Sequence, residues 1–303
     1  MNTKTLIGPA LPLGFKLQRG EEGRPGKYAV FGNPISHSQS PLIHKLFAEQ
    51  IGIPLDYEPL LAPLECFADA VKRFRDAGGC GANVTLPFKH QAFVLAHFCS
   101  KRAKQACAAN TLCFSEEGLI YADNTDGEGL LCDLLDNLHL SLSGIRILLL
   151  GAGGAASGVL GALLEAGPAE VIIVNRTPAK AIELASHFSV LGCVKGGGLE
   201  STGAKPYDLI INATSASLDG EVPALLPSIL HSKTWCYDMA YAGKLTPFLR
   251  WAQDNGIEHV SDGLGMLVEQ AAAAFQIWHG VRPKTEPVIS VVRRVLDESA
   301  NPG

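Results

Sequence analysis

Ile145-Arg-Ile-Leu-Leu-Leu-Gly151-Ala-Gly153-Gly154-Ala155-Ala156-Ser157 settles the architecture of this chain. Its Ile-Leu-Leu-Leu run is short, continuous and apolar, the pattern of a strand buried on both faces. The run feeds into a glycine-rich turn and then into Gly158-Val-Leu-Gly-Ala-Leu-Leu, a small-residue segment that can pack closely as a helix. Spaced as G-x-G-x-x-A, Gly151 permits the tight turn and Gly153 lets backbone N–H groups approach a pyrophosphate. Ala156 keeps the helix near the strand, and the helix N-terminus then faces a negative group. A glycine trio alone is a weak signal, because a plain turn has the same composition. Its context raises it.

That context is the next unit. Glu170-Val-Ile-Ile-Val reads as a second parallel strand, ending in Asn175-Arg176-Thr177 with Lys180 just inside the following helix. In a dinucleotide-binding unit, an acidic residue roughly 20 residues beyond the glycines holds the ribose 2′-hydroxyl of NAD. No acid stands at Asn175 to Thr177; Asn, Arg, Thr and then Lys suit a 2′-phosphate. A guanidinium grips phosphate with two parallel bonds and a lysine adds a point charge. The competing reading is a solvated basic turn; position and charge together favour NADP(H).

At 303 residues the chain is long enough for two domains with substantial cores. Charged residues are 18% and the net charge is −5, so no basic field calls for nucleic acid. No apolar run is long enough to span a bilayer. Cysteines 66, 80, 99, 107, 113, 132, 193 and 236 form no C-x-x-C pair and read as reduced thiols of a cytoplasmic protein. The nine histidines show no ligand spacing, so no metal site is expected. Leu6 to Phe15 is broken by Pro9, Pro12 and Gly14 and lacks a small-residue cleavage site, so it is not read as a signal peptide. Residues 1–26 read as an N-terminal extension with a frayed, charged end and no assigned function.

From Lys27 the chain alternates strand and helix. Lys27 to Phe31 is a strand, followed by Gly32-Asn-Pro-Ile-Ser-His37-Ser38-Gln-Ser40-Pro41, where Pro41 opens a helix and Ser40 is the expected N-cap. Leu55 to Leu60 is a strand, and Pro63 to Ala77 reads as an amphipathic helix burying Leu64, Phe67, Ala70, Val71 and Phe74. Gly81-Ala-Asn83-Val-Thr85-Leu-Pro87-Phe-Lys89 runs from strand into a second Pro-started helix. It clusters polar groups at a strand end, where open α/β sheets bind ligands. Lys89 near that helix start opposes the dipole, so it wants an anion or a function. Asn110 to Phe114 and Leu119 to Ala122 form a hairpin leading to Asp123-Asn124-Thr125-Asp126-Gly127. Asp126 is the counter-ion for Lys89 if the two loops meet. Strands at Tyr207 to Asn212, Thr234 to Tyr241 and Glu258 to Val260 alternate with helical segments, which argues for a doubly wound parallel sheet. Gly265 to His279 is a helix with Gln270 in a small-residue stripe, either an edge residue or a ligand contact, and about Val288 to Leu296 is the last helix.

Taken together, GNPISHSQSP (32–41), NVTLPFK (83–89), ANTL (109–112), DNTDG (123–127), GAGGAA (151–156), NRT (175–177), INATS (211–215), YDMAY (237–241) and DGLGML (262–267) with Gln270 resemble the shikimate dehydrogenase family. They follow the family's order and cover nearly everything after residue 27. The resemblance implies reversible NADPH-dependent reduction of 3-dehydroshikimate to shikimate, in aromatic amino-acid biosynthesis. It implies an α/β substrate-binding domain at 27–126 completed by returning helices at 265–303, and a Rossmann-like doubly wound NADP-binding domain at 127–264. Carried over by position, Lys89 and Asp126 are the catalytic pair, and Ser38, Ser40, Thr85, Asn110, Tyr241 and Gln270 bind substrate. Gly151, Gly153, Gly154 and Ala155 hold the pyrophosphate, and Asn175, Arg176, Thr177 and Lys180 the adenosine phosphate. Thr214, Met239 and Gly263 complete the cofactor side, the last two beside the nicotinamide. The chain departs from the family at Lys45, often Asn, at Ala108 and Ala122, often Gly, and at Ser217-Leu218, often Gly-Met.

The chemistry suits these residue types. Hydride delivery to a ketone leaves negative charge on oxygen, which a lysine can meet with a proton while a carboxylate orients it. A polyhydroxylated ring wants Ser, Thr and Asn partners, and a wrong substrate leaves them unpaired. Two alternatives stand beside this reading. One is a quinate/shikimate dehydrogenase using NAD, opposed by Arg176 and Lys180; the other is a nonenzymatic NADP(H)-binding sensor, opposed by Lys89 and Asp126. The oligomer is left between monomer and homodimer.

Overall fold

The computed structural model describes residues 11–20, 24–203, 205–214, 216, 221 and 225–300. Ser217-Leu218 lies outside them, as do residues 1–10 and 21–23 of the N-terminal extension. Contacts divide the chain into two compact units, Met1–Thr125 with Gln270–Val288, and Asp126–Glu269 with Ile289–Gly303.

In the second unit, β7 (Arg146–Leu150), β8 (Glu170–Val174), β9 (Val194–Gly197), β10 (Leu209–Asn212), β11 (Trp235–Asp238) and β12 (His259–Asp262) form one sheet. Its order is β12-β11-β10-β7-β8-β9 and every pair is parallel. The apolar run of β7 is buried on both faces, as its lack of alternation requires. Ile147 and Leu149 pack with Val159, Leu163 and Ala181, from α6 (Gly154–Glu165) and α7 (Pro178–Phe188). Leu148 and Leu150 pack on the other side with Phe248, Leu249 and Ala252 of α8 (Pro247–Asp254). Strand order reverses between β7 and β10, so a crevice opens at their carboxyl ends, the ligand position of doubly wound sheets.

The first unit holds β1 (Gly26–Gly32), β2 (Leu55–Leu61), β3 (Gly79–Val84), β4 (Phe98–Cys99), β5 (Thr111–Phe114) and β6 (Ile120–Asp123), ordered β2-β1-β3-β5-β6-β4. β1 lies parallel to β2 and β3, while β5 runs antiparallel to β3 and β6. One face packs Phe31, Val84 and Leu112 against Phe67 and Val71 of α2 (Phe67–Asp76) and against Phe88 and Ala92, where α3 (Lys89–Leu95) begins. The other face packs Tyr28, Cys113 and Tyr121 against Ala274 and Trp278, in the later turns of α9 (Leu264–His279). The Trp278 indole N–H donates to the Leu112 carbonyl at 3.1 Å. The last helix is α10 (Glu286–Ala300), and its Arg293 forks onto the Asp262 carboxylate at 2.5 and 2.9 Å, so its final turns pack with the second unit.

Four local expectations need correcting. The helix placed at 63–77 is α2, because Pro63 to Cys66 forms a turn closed by the Cys66 N–H on the Pro63 carbonyl; Leu64 is exposed. Ser40 is not an N-cap: it is the first residue of α1 (Ser40–Ile51), Gln39 holds the cap position, and the Ser38 hydroxyl accepts the Ser40 N–H at 3.3 Å. Pro87 sits in a turn closed by the Phe88 N–H on the Thr85 carbonyl, and helix begins only at Lys89. The extension is not frayed throughout. Leu17 pairs antiparallel with Ser115, the Gln18 N–H donates to Phe114 at 2.8 Å, and Phe15 sets its ring against Phe98 and Tyr121. Deleting residues 1–20 therefore removes partly buried Leu11, Phe15 and Leu17 from the core beneath Tyr121. Calorimetry should show a melting point several degrees lower, for a loss of about 2–4 kcal/mol; an unchanged melting point would mean the strap contributes nothing.

On α1, His44 is fully buried, with its ring stacked 4.3 Å from Tyr57 and close to Phe275 and Trp278. Burial first, then the neighbouring His279, push its pKa down to about 3, against an opposing pull from Asn83. In the unfolded chain the ring takes its proton near pH 6.5. Between about pH 6.5 and 3 the unfolded state thus binds the extra proton, and stability falls as pH falls through that window. Urea unfolding should weaken from neutral pH to about pH 5 in the wild type, and less steeply in His44→Phe. Equal slopes would mean that His44 has no part in the acid sensitivity.

Candidate active site

The first unit gathers a continuous polar network at the carboxyl end of β3. Asn110, only 2% exposed, donates through Nδ2 to Thr125 Oγ1 at 2.9 Å and to Gln270 Oε1 at 3.1 Å. Its Oδ1 accepts the Thr125 N–H at 2.9 Å and the Thr111 hydroxyl at 2.9 Å. The Asn83 amide donates to the Asn110 carbonyl and to Thr111, and its Oδ1 accepts the Tyr57 hydroxyl at 2.8 Å. Ser40 lies beside that hydroxyl, and Ser38 beside Ser40. The chain thus joins Ser38, Ser40, Asn110 and Gln270, which sequence singled out, through Asn83, Thr125 and Tyr57. Neither Thr125 nor Tyr57 had been assigned a binding role; Tyr57 stands on a strand with no motif around it, so no local signal marks it.

Lys89 joins this region through its backbone, its carbonyl accepting the Ala109 N–H at 2.8 Å next to Asn110. Thr85 is half-buried at the strand end, its N–H bound to the Phe31 carbonyl at 2.9 Å. Asp123, the competing acid of the following loop, is fully buried. It accepts Ser100 Oγ at 2.5 Å, a two-pronged Arg102 at 2.7 and 2.9 Å, and the Asn124 N–H at 2.7 Å. With its oxygens so engaged, Asp123 shapes the loop. Asp126, 4% exposed, opens α5 (Asp126–Cys132) at the head of the second unit.

The second unit carries the other predicted residues. Gly151 has φ +103, a conformation that favours glycine, and a side chain there would press on Ala213 and Thr214 across the switch point. Gly153 is the extended N-cap of α6; Gly153 and Gly154 are exposed with open space at their Cα atoms, and Ala155 is half-buried behind them. A phosphate group could approach these N–H groups without meeting a side chain. Beyond β8, the Asn175 side chain holds the Thr177 carbonyl at 3.0 Å, while Arg176, Thr177 and Lys180 are exposed. Neither Arg176 nor Lys180 forms an ion pair among the described residues. The residues present fit an adenosine carrying a 2′-phosphate.

Thr214 is fixed by the buried Asn212, whose Oδ1 accepts its hydroxyl at 2.7 Å and its N–H at 3.1 Å. Met239 donates its N–H to the Asn212 carbonyl at 2.9 Å, and Gly263 donates to Ala240 at 3.1 Å. Gly263 lies so close to the Met239 backbone that a Cβ would clash with it, so these two form one tight wall. Tyr241 falls in the second unit and not in the polar network of the first; burial and the Asp262 charge hold its phenol above the ordinary range. Among the described residues no group of three or more His, Cys, Asp or Glu could hold a metal ion, and no helix is long and apolar enough to cross a membrane.

Comparison with known proteins finds matches in both units. Residues 30–112 match the shikimate dehydrogenase substrate binding domain, 133–219 the shikimate/quinate 5-dehydrogenase family, and 263–293 the shikimate 5′-dehydrogenase C-terminal domain. The shikimate dehydrogenase (NADP(+)) of Nitrosococcus oceani is 50% identical over 273 residues, 90% of this chain and 97% of that protein. The crystal structure of an Ael1 enzyme from Pseudomonas putida superposes with TM-score 0.82 at 46% identity, covering 88% of this chain and 97% of that one. Shikimate 5-dehydrogenase from Thermus thermophilus, solved with NADP(H) and shikimate, gives TM-score 0.79 at 34% identity, covering 89% and 100%.

Proposed function

This chain belongs to the shikimate dehydrogenase family, and from that premise we propose that it catalyses the reversible NADPH-dependent reduction of 3-dehydroshikimate to shikimate. The observation that carries the reading is the polar network of Asn110, Thr125 and Gln270 beside the Lys89 backbone. It offers amide and hydroxyl partners to a small polyhydroxylated acid, where an apolar pocket would not discriminate.

Bound NADPH supplies the hydride. Lys89 gives a proton from its ammonium to the ketone oxygen as charge builds there, and takes it back from the hydroxyl in the reverse direction. Asp126 orients that ammonium; the buried ties of Asp123 to Ser100 and Arg102 support giving the role to Asp126. Ser38 and Ser40 bind the substrate carboxylate end, Thr85, Asn110 and Gln270 its hydroxyls, and Tyr241 is assigned to substrate binding as well. Gly151, Gly153, Gly154 and Ala155 receive the pyrophosphate, with Asn175, Arg176, Thr177 and Lys180 on the adenosine phosphate. Thr214 completes the cofactor side, and Met239 and Gly263 border the nicotinamide. The eight cysteines are free thiols, which suits the cytoplasm, and that residence is part of the proposal.

Initial rates with shikimate or quinate, each with NADP or NAD, test the reading. Shikimate with NADP should be the fastest pair; quinate with NAD as the fastest would favour the broader enzyme. Gln270→Ala should raise the Michaelis constant for shikimate or cut turnover while NADP binding holds. Loss of NADP binding instead would place Gln270 on the cofactor side.

A further inference from the structure

The buried carboxylate of Asp133 lies outside every role assigned so far. Asp133, 3% exposed, starts the irregular helical turn Asp133–Asn137 that continues α5. Its Oδ2 accepts the Tyr237 hydroxyl at 2.6 Å and the Met266 N–H at 3.1 Å. Its Oδ1 accepts Asn137 Nδ2 at 3.0 Å, and the same amide donates to Glu269, itself buried, at 3.3 Å. Gly265 packs against this carboxylate so closely that a side chain there would overlap it. Burial holds the Asp133 carboxyl above its ordinary range, with Tyr237 and Asn137 pulling it down and Glu269 pushing it up.

The bonds to Tyr237 and Met266 end on segments that lead to the site. Tyr237 is two residues before Met239 on β11, and Met266 is three residues after Gly263 in the first turn of α9. Asp133 itself follows Asp126 by seven residues along α5, about two helical turns. A single carboxylate therefore ties together the wall bordering the nicotinamide and the helix that begins with Asp126. Stability alone does not call for it, since hydrogen-bonded partners replaced together by apolar groups of the same shape can cost almost nothing. What a short, two-oxygen acceptor supplies is geometry, because it fixes three backbone segments to one point.

We propose that Asp133 is a positioning residue of the dehydrogenase, holding the Met239–Gly263 wall and the Asp126 helix in the one arrangement that brings the nicotinamide to hydride-transfer distance. This rests on the function proposed above. It predicts a defect in the chemical step, since a shift on the order of 1 Å at the reacting atoms can lower the rate about 100-fold. Arg176 and Lys180 follow β8, three places along the sheet from the β11 strand that carries Tyr237, so their proposed hold on the 2′-phosphate should be untouched.

Asp133→Asn keeps the shape but places a second donor against the Asn137 amide, and Tyr237→Phe removes one bond and leaves the carboxylate. For each full-length variant, turnover, NADP affinity, melting temperature and the isotope effect with shikimate deuterated at the carbinol carbon are measured. Expected are turnover lower by about 10–100-fold, near wild-type NADP affinity and a larger isotope effect on turnover. The double variant should lose less than the product of the two single losses. Folded variants with wild-type turnover and an unchanged isotope effect, even at a lower melting temperature, would overturn the proposal and leave Asp133 a structural group. Should Asp133→Asn fail to fold, Tyr237→Phe decides by the same criteria. A wild-type protein inactive on shikimate would overturn the functional reading itself, so the two failures are distinct.

Discussion

Lys89→Ala lowers shikimate turnover by about 10²–10⁴-fold, the range for a positioned acid–base group. Lys89 is the first residue of α3, where helix dipole and cation oppose one another, and its carbonyl is tied to Ala109 beside the Asn110 network. Alanine leaves the ketone oxygen to water, while the hydroxyl-binding partners remain. NADP affinity should hold, because the glycine turn and Arg176 belong to the other unit. Asp126→Asn should slow turnover as well, and the double variant should lose less than the two effects multiplied, since both act on one proton. Steady-state rates at saturating cofactor check all three. Near-normal turnover in Lys89→Ala would remove it from the mechanism.

Replacing Arg176 and Lys180 together with neutral residues erases most of the preference for NADP over NAD. Both are exposed and neither is spent on an internal ion pair among the described residues, so they are available to a 2′-phosphate. A hydrogen bond to a charged group is worth about 1.5–3 kcal/mol, and solvent at this exposed rim argues for the lower end. Two such bonds correspond to roughly a 100-fold weaker NADP complex with NAD little changed. Titrating each cofactor by tryptophan or nicotinamide fluorescence measures this. Equal losses for both cofactors would assign Arg176 and Lys180 to the fold.

The second unit was the more legible half. The β7 run, the turn at Gly151 and the basic end of β8 are local signals, and a parallel sheet buried on both faces leaves no alternation to misread. Lys89 and Gln270 stood out because polar groups lie where apolar or helical patterning predicts none, whereas Asn110 was marked by the family resemblance alone. What escaped is tertiary. Tyr57 and Asp133 act through partners 26 and 104 residues away, as in the Tyr57–Asn83 and Tyr237–Asp133 bonds, and no spacing rule reaches that far. Asp133 does carry a faint mark, a charged residue between the fully buried Leu130 and Leu134. The strap at residues 11–20 escaped because it borrows its order from the end of β5; its own sequence, broken by Pro12 and Gly14, has no regular period. Ser40 was misplaced by one position, and helix ends are set by which N–H finds a partner, here the Ser38 hydroxyl.

The most direct measurement is product analysis by NMR after incubating the purified full-length chain with 3-dehydroshikimate and NADPH. The account predicts shikimate and NADP⁺ appearing in equal amounts, at a rate that collapses in Lys89→Ala. A chain that binds NADP(H) yet leaves 3-dehydroshikimate unreduced would contradict it.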